Sequence, residues 1–233
     1  MSANGSSVTV GGAHRGRLIC KRAIDLIGGL VLAIVTTPTV LLLLIGSAIA
    51  FRANPIFCQR RVGYRGREFR IIKIRTLPRV APQYANRREI GDVPTNRWGS
   101  LLRRTHLDEL LQLWQVVFGQ MSLVGPRPMI SKIVDACEPS FASARASMRP
   151  GCTGLWQVSH SANDLVHETS QYDLHYLERF TLALDVRILV LTVCQFAGSR
   201  RRHEVLPPSG VSADVDTLGR DGSDAVPATL RLS

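Results

Sequence analysis

The chain has 233 residues, with 29 Lys and Arg against 18 Asp and Glu and a formal net charge of +11. That length suits one domain with its own core, alone or joined to a membrane element. Five cysteines, an odd number with no C-x-x-C spacing, argue against a zinc site or a disulfide framework and fit a reducing compartment.

Residues 1–16 are rich in Gly and Ser and are expected to be disordered. No charged residue occurs from Leu26 to Phe51, about 26 residues, which is long enough for a tilted membrane helix. A cleaved signal peptide ending at Ala48-Ile49-Ala50 fits poorly, because the apolar run is too long and starts too late. A single span and a re-entrant hairpin both stay open. The hairpin is favoured because basic residues flank both ends: His14, Arg15, Arg17, Lys21 and Arg22 before, Arg52, Arg60 and Arg61 after. Positive charge prefers the cytoplasmic side, so both ends want the same side. Pro38 marks the expected break, since proline removes a backbone donor, and Thr36 and Thr37 offer hydroxyls to the freed carbonyls. Asp25, beside Lys21 and Arg22, reads as an interfacial ion pair.

From Arg52 to Arg79 nine basic residues face a single acid, Glu68, a local net charge of +8. Directly after an apolar segment, such a block points to an anionic lipid surface or an anionic substrate. Its few aromatics (Phe57, Tyr64, Phe69) and the lack of any nucleic-acid module exclude a nucleic-acid partner. The same stretch reads as a β-hairpin turning at Gly63-Tyr64-Arg65-Gly66. Pro78 to Pro94 is a polar connection. A helix is expected from Thr95 or Asn96, carrying Trp98, Leu101 and Leu102. A second is expected from Thr105 to about Phe118, and a third from about Met129 to Ser147. Tyr172 to Phe196 is apolar but carries Asp173, Glu178, Arg179, Asp185 and Arg187, which suggests a helix lying in a membrane interface. From Ser199 onward five bases and five acids among Pro, Gly and Ser read as a solvated tail, and Asp214-Val215-Asp216 within it reads as a chance D-x-D.

The chemistry concentrates at Thr105-His106-Leu107-Asp108-Glu109-Leu110. With Thr105 as N-cap, Asp108 falls at the third helical position, where a carboxylate can simply cap the helix. The same place keeps an aspartate ionised, through the helix's positive end and through Arg103 and Arg104, and an ionised aspartate can attack phosphorus. Asp108 and Glu109 together suit Mg²⁺, which takes one or two carboxylates plus substrate phosphate. Leu107, Leu110, Leu111, Trp114, Val117 and Phe118 recur at helical spacing as an apolar face. Gly125-Pro126-Arg127-Pro128 is a stiff turn presenting Arg127, either as a phosphate grip or as a solvated side chain.

Several motifs stand in one order: Lys21-Arg22-x-x-Asp25, an apolar segment with central Pro38, Lys73-Ile74-Arg75-Thr76, Leu107-Asp108-Glu109-Leu110, Gly119 through Pro128, and Arg149-Pro150-Gly151-Cys152-Thr153-Gly154-Leu155-Trp156-Gln157-Val158. In this order the chain, over roughly residues 18–198, resembles the bacterial sugar transferases, the monotopic polyprenyl-phosphate phosphoglycosyl transferases of the exopolysaccharide-priming kind. It departs from their usual pattern in Ile74, in Leu77, in Leu111, and in Ser159-His160-Ser161, where a glycine and an arginine are expected.

The resemblance implies a mainly α protein with a small β-hairpin (α+β), an N-terminal re-entrant helix–break–helix over 17–51, interfacial amphipathic helices, a cytosolic-face catalytic domain over 52–198 and a disordered tail over 199–233. It implies transfer of sugar-1-phosphate from a UDP-sugar to undecaprenyl phosphate at the bacterial inner membrane, with release of UMP. Asp108 would be the nucleophile. Glu109 would hold Mg²⁺ with it or handle protons. Lys73, Arg75, Arg103 and Arg127, the last framed by Pro126 and Pro128, would neutralise phosphate. Polysaccharide-assembly proteins are the expected partners. The alternative is a catalytically impaired membrane scaffold of a synthesis complex.

Overall fold

The computed structural model describes residues 12–79, 81, 93–159 and 170–196, with side chains from residue 16 onward. Residues 1–11 of the expected disordered N-terminus, the C-terminal tail, most of the Pro78–Pro94 connection, the Asp214-Val215-Asp216 triplet, and His160 and Ser161 lie outside the described residues, whereas residues 12–16, also expected to be disordered, begin a helix. The described chain is mainly helical, with two small sheets.

Helix α1 spans Gly12–Phe51. Its Gly16–Phe51 stretch is long and apolar enough to cross a membrane, and Ile27, Val35, Leu42 and Ile49 are each about 70% exposed. A chain this apolar does not leave such a surface in water without a partner phase. One narrow stripe is buried: Lys21, Asp25, Gly29, Ala33, Val40, Leu43 and Ser47. These recur at spacings of three, four or seven residues, so a single helix face meets the rest of the protein. The helix runs on through Pro38, and the expected interruption there is not seen. The hydroxyls of Thr36 and Thr37 donate to the carbonyls of Leu32 and Ala33, both at 2.7 Å. They bond one turn back from themselves, not to the Ile34 carbonyl that Pro38 leaves without its helical donor.

Both halves of α1 dock on the globular part. In the first half, a Cβ on Gly29 would lie 2.9 Å from Val116 Cγ1, so only glycine allows that approach. In the second half, Ser47 Oγ donates to Arg75 O at 2.5 Å, and Ala50 O accepts from Asn96 Nδ2 at 3.1 Å. The base of the first half carries a buried ionic network. Lys21 Nζ lies 2.7 Å from Asp185 and 3.6 Å from Asp25. Asp25 also accepts from Ser122 Oγ at 2.5 Å and from Leu123 N at 3.0 Å. Asp25 is therefore ion-paired as expected, but inside the protein.

The hairpin forms where the sequence places it. Strands β1 (Ile56–Val62) and β2 (Glu68–Ile74) pair antiparallel, with Gln59 opposite Ile71 and Phe57 opposite Lys73. A 3₁₀ turn, Tyr64–Gly66, joins them. Helix α2 (Arg97–Thr105) starts under Asn96, whose side chain accepts from Gly99 N at 2.8 Å.

The expected helix from Thr105 is not one helix. Thr105 ends α2, and its hydroxyl donates to Leu101 O at 2.8 Å. His106 turns the chain in the left-handed region, φ 53°. A 3₁₀ turn, Leu107–Glu109, follows, then α3 (Gln112–Val117). The expected apolar face is also displaced. Gln112, Gln115 and Val116 are the buried side of α3, while Phe118 is 72% exposed. Gln115 belongs inside because its amide continues the hairpin's hydrogen bonding. It accepts from Ile72 N at 2.9 Å and donates to Arg70 O at 2.7 Å.

The segment expected as a third helix is two short ones, α4 (Ser131–Asp135) and α5 (Pro139–Ala146). A second sheet pairs β3 (Ser122–Val124) in parallel with β4 (Gly151–Thr153). After α6 (Leu155–Val158) come α7 (Gln171–Glu178) and α8 (Leu182–Phe196). The two acids expected to sit in an interface are buried as partners: Asp173 with Arg145 at 3.3 Å, and Asp185 with Lys21. Val186, Val190, Val193 and Phe196 leave α8 with one apolar exposed face. The main core joins Val116, Met121, Leu123, Leu155, Tyr176 and Ile188, on which both sheets rest.

Candidate active site

Asp108 and Glu109 sit on the 3₁₀ turn between α2 and α3. The left-handed residue before them swings the chain off the axis of α2 and lays the turn against β2. A left-handed conformation costs a non-glycine residue on the order of 1 kcal/mol. His106 also meets Phe196 of α8 edge to face, with ring centres 6.1 Å apart.

Asp108 is 8% exposed. Among the described residues it has no ion-pair partner within 4 Å. Burial pushes its carboxyl up to about 6; Lys73 and Arg103 pull the other way, and Glu109 adds to the rise. The expected picture, an aspartate kept ionised by the first turn of a helix that Thr105 caps, is thus corrected. Asp108 is a desolvated carboxylate between cations, and desolvation wins.

Glu109 is the opposite case. Burial opposes its charge, but Lys73, Arg127 and His106 together bring its carboxyl below the usual range. Lys73 Nζ is 2.5 Å from Glu109 Oε1, and Arg127 Nη2 is 3.4 Å from the same oxygen. Lys73 comes from β2, where the strand pleat directs it to this side. Arg127 comes from the turn after β3.

That turn is held by glycine and proline geometry. Gly125 N donates to Thr153 O at 2.9 Å, and Gly151 N donates to Pro126 O at 3.0 Å. A Cβ on Gly125 would lie 2.5 Å from Arg149 O. The two motif stretches that contain Gly125 and Gly151 are therefore one structure, a parallel pair that presents Arg127. Pro128 O accepts from Arg61 Nη1 at 3.2 Å. Arg127 also lies over the ring of Trp156, 5.7 Å from its centre.

Asp108, Glu109, Lys73, Arg103 and Arg127 are thus brought together. Arg75 is turned elsewhere and donates from Nε to Asn54 O at 2.7 Å. Pro126 and Pro128 shape the turn through their carbonyls, and Pro38 belongs to α1. Arg61, Gln112 and Cys152 were missed by sequence reasoning, although they line the same cleft as Lys73, Glu109 and Arg127. Only the +8 charge block signalled Arg61. Burial pushes the Cys152 thiol well up, so it is an inert wall.

Among the described residues there is no cluster of three or more Asp, Glu, His or Cys that would hold a metal by protein groups alone. The donor set is two neighbouring carboxylates, one of them without an ion-pair partner of its own. Hard oxygen donors in that number fit a divalent cation that arrives with, and is completed by, a substrate's phosphates.

The model of the family described as "Bacterial sugar transferase" matches residues 16–199. The chain is 31% identical over 201 residues to the "Exopolysaccharide production protein ExoY" of Sinorhizobium fredii, covering 78% of this chain and 88% of that protein. It is 34% identical to the "UDP-galactose-lipid carrier transferase" of Erwinia amylovora, covering 77% of this chain and 40% of that protein. It is also 34% identical to the "UDP-glucose:undecaprenyl-phosphate glucose-1-phosphate transferase" of Xanthomonas campestris pv. campestris, covering 71% of this chain and 36% of that protein. The chain thus spans most of the first relative and well under half the length of the other two. With the acidic pair, its two cations and the glycine–proline turn assembled in one cleft, and with this extent of similarity, the chain belongs to the bacterial sugar transferase family.

Proposed function

We propose that this protein is a phosphoglycosyl transferase that moves sugar-1-phosphate from a UDP-sugar to undecaprenyl phosphate and releases UMP. The observation that carries the reading is the pairing of a desolvated aspartate, Asp108, with a neighbouring glutamate held by Lys73 and Arg127. The names of the relatives from Xanthomonas campestris and Aeromonas hydrophila describe that reaction with glucose and N-acetylgalactosamine.

The chemistry follows from the charges. An ionised Asp108 oxygen attacks the β-phosphorus of the UDP-sugar. The bond from that phosphorus to the bridging oxygen breaks, and UMP leaves with the electron pair. Asp108 then carries the sugar phosphate. An oxygen of the lipid phosphate attacks the same phosphorus and displaces Asp108, giving a diphosphate-linked lipid sugar and restoring the carboxylate. Lys73, Arg103 and Arg127 balance the charge on the non-bridging oxygens. Glu109 orients Lys73 and Arg127. Asp108 and Glu109 are the residues that would hold Mg²⁺, which when bound neutralises diphosphate charge.

The reaction belongs at the cytosolic face of the inner membrane. Lys21 and Asp25 at one end of α1, and Ser47 and Ala50 at the other, all touch the same globular domain. A straight crossing would separate Lys21 from Ser47 by roughly 39 Å, at 1.5 Å per residue, and put them on opposite sides of the bilayer. Contact of both halves of α1 with one domain favours entry and exit through one leaflet, and the helix itself is continuous through Pro38. The exposed apolar face of α8 would lie in the same interface.

The test is purified full-length protein in detergent with Mg²⁺, undecaprenyl phosphate and each of UDP-Glc, UDP-Gal and their N-acetylated forms. UMP release with at least one donor is expected, and its loss in Asp108→Asn. No release with any donor rejects the enzymatic reading. A cell phenotype left intact by Asp108→Asn would favour the scaffold of a polysaccharide-assembly complex.

A further inference from the structure

Arg61 stands outside every role given above, yet it lines the same cleft as Lys73, Glu109 and Arg127. Its guanidinium is only partly used. Nη1 donates to Pro128 O at 3.2 Å, Nη2 donates to Gln59 Oε1, and Nε is buried without a hydrogen-bond partner. A buried N–H left unpaired is costly, and native proteins rarely leave one without a reason. The charge is unsatisfied as well. Burial and the like charge of Arg127 together push the guanidinium down to about 10, and only Glu109 pulls it back. Glu109 is already engaged by Lys73 at 2.5 Å. Two guanidiniums therefore share one cleft wall with too little negative charge between them. A phosphate oxygen at that place would satisfy the free Nε–H and screen the repulsion, in the forked geometry that arginine offers to phosphate.

We propose that Arg61 is a phosphate-binding residue that forms, with Arg127, a second anion subsite beside Glu109. The proposal deepens the phosphoglycosyl transferase reading and rests on it for the identity of the ligand. Two phosphates fit the chemistry: the one that departs with the nucleotide, and the monophosphate of the lipid acceptor.

The experiment reads binding, so it does not depend on turnover. Full-length wild type, Arg61→Gln and Arg61→Lys in detergent are unfolded thermally, with UMP or farnesyl phosphate titrated as probes. Wild type should be stabilised by at least one probe. Arg61→Gln should weaken that binding roughly 10- to 100-fold, as expected for a lost charge-assisted contact. Arg61→Lys, which keeps the charge but not the fork, should fall between. The unliganded melting temperature of Arg61→Gln should be unchanged or higher, because removing the charge relieves its repulsion with Arg127. A merely structural role predicts the reverse pattern, a lower unliganded melting temperature with affinity intact. Loss confined to UMP assigns the subsite to the nucleotide, and loss confined to farnesyl phosphate assigns it to the lipid. Equal affinity in all three proteins, or no binding of either probe to wild type, overturns the proposal. Failure of wild type to release UMP in the activity assay rejects the catalytic reading and leaves this comparison standing by itself.

Discussion

Lys73 on β2 and Glu109 on the 3₁₀ turn, 36 residues apart in sequence, meet at 2.5 Å with both side chains less than a fifth exposed. The contact fastens the acidic pair to the hairpin. Lys73→Met should leave Glu109 desolvated with only Arg127 at 3.4 Å, and should destabilise the protein by about 1–3 kcal/mol. The double variant Lys73→Met/Glu109→Gln removes both charges and should recover part of that loss, though no activity. Thermal unfolding of the two singles and the double gives the coupling. Strictly additive effects would mean that the pair is not a fastening.

The Asp108 carboxyl predicts an unusual sign. Its folded value is about 6, above its value in an unfolded chain, so the folded state binds the proton more tightly. Stability from this group is present at low pH and is lost as pH rises through about 6. In metal-free buffer at pH 8, Asp108→Asn should therefore stabilise the protein by roughly 1–3 kcal/mol, with little difference at pH 4. A destabilised Asp108→Asn at pH 8 would show that the charge supports the fold.

The role proposed for the same group also predicts a rate profile. With Asp108 as the proposed nucleophile, only its ionised form would react, so kcat/KM should rise with pH up to about 6 and then level off, falling about tenfold per unit below that point. An acid role for Asp108 would give a descending limb instead. Steady-state UMP release between pH 5 and pH 8.5 separates the two.

The buried network at the base of α1 should be costly to break. Lys21→Met removes the cation that lies 2.7 Å from Asp185 and 3.6 Å from Asp25, and should cost about 3–5 kcal/mol. Tyr176→Phe removes the hydroxyl that donates to Asp185 at 2.8 Å, and should cost about 1–2 kcal/mol. Unfolding midpoints within a degree of wild type for both would mean that α1 is not anchored there.

Local signals made much of this legible in the sequence. The hairpin showed through its β-branched strands and the Gly63-Tyr64-Arg65-Gly66 turn, and α2 through Asn96. Thr105 misled because a threonine with an acid three residues on looks the same whether it caps a helix or ends one, and nothing in His106 announces a left-handed residue. Gln115 misled because its amide is buried to complete a strand edge, a partnership that helical periodicity does not encode. The β3–β4 pair was invisible as strands: each is three residues long, and the partners lie in distant segments. Its two motifs were legible as motifs, without sign that they touch. Arg61 hid within a charge block whose other arginines, such as Arg60 and Arg67, are exposed. Asp173 and Asp185 read as charges of an interfacial helix because their cations, Arg145 and Lys21, come from other parts of the chain.

The most direct test of the central claim is intact-mass spectrometry of the protein incubated with Mg²⁺ and its UDP-sugar donor, without lipid acceptor. The account predicts a mass increase equal to one sugar phosphate, located on Asp108, absent in Asp108→Asn and discharged when undecaprenyl phosphate is added. An enzyme that turns over with acceptor yet never carries that adduct, or carries it unchanged in Asp108→Asn, would contradict the account.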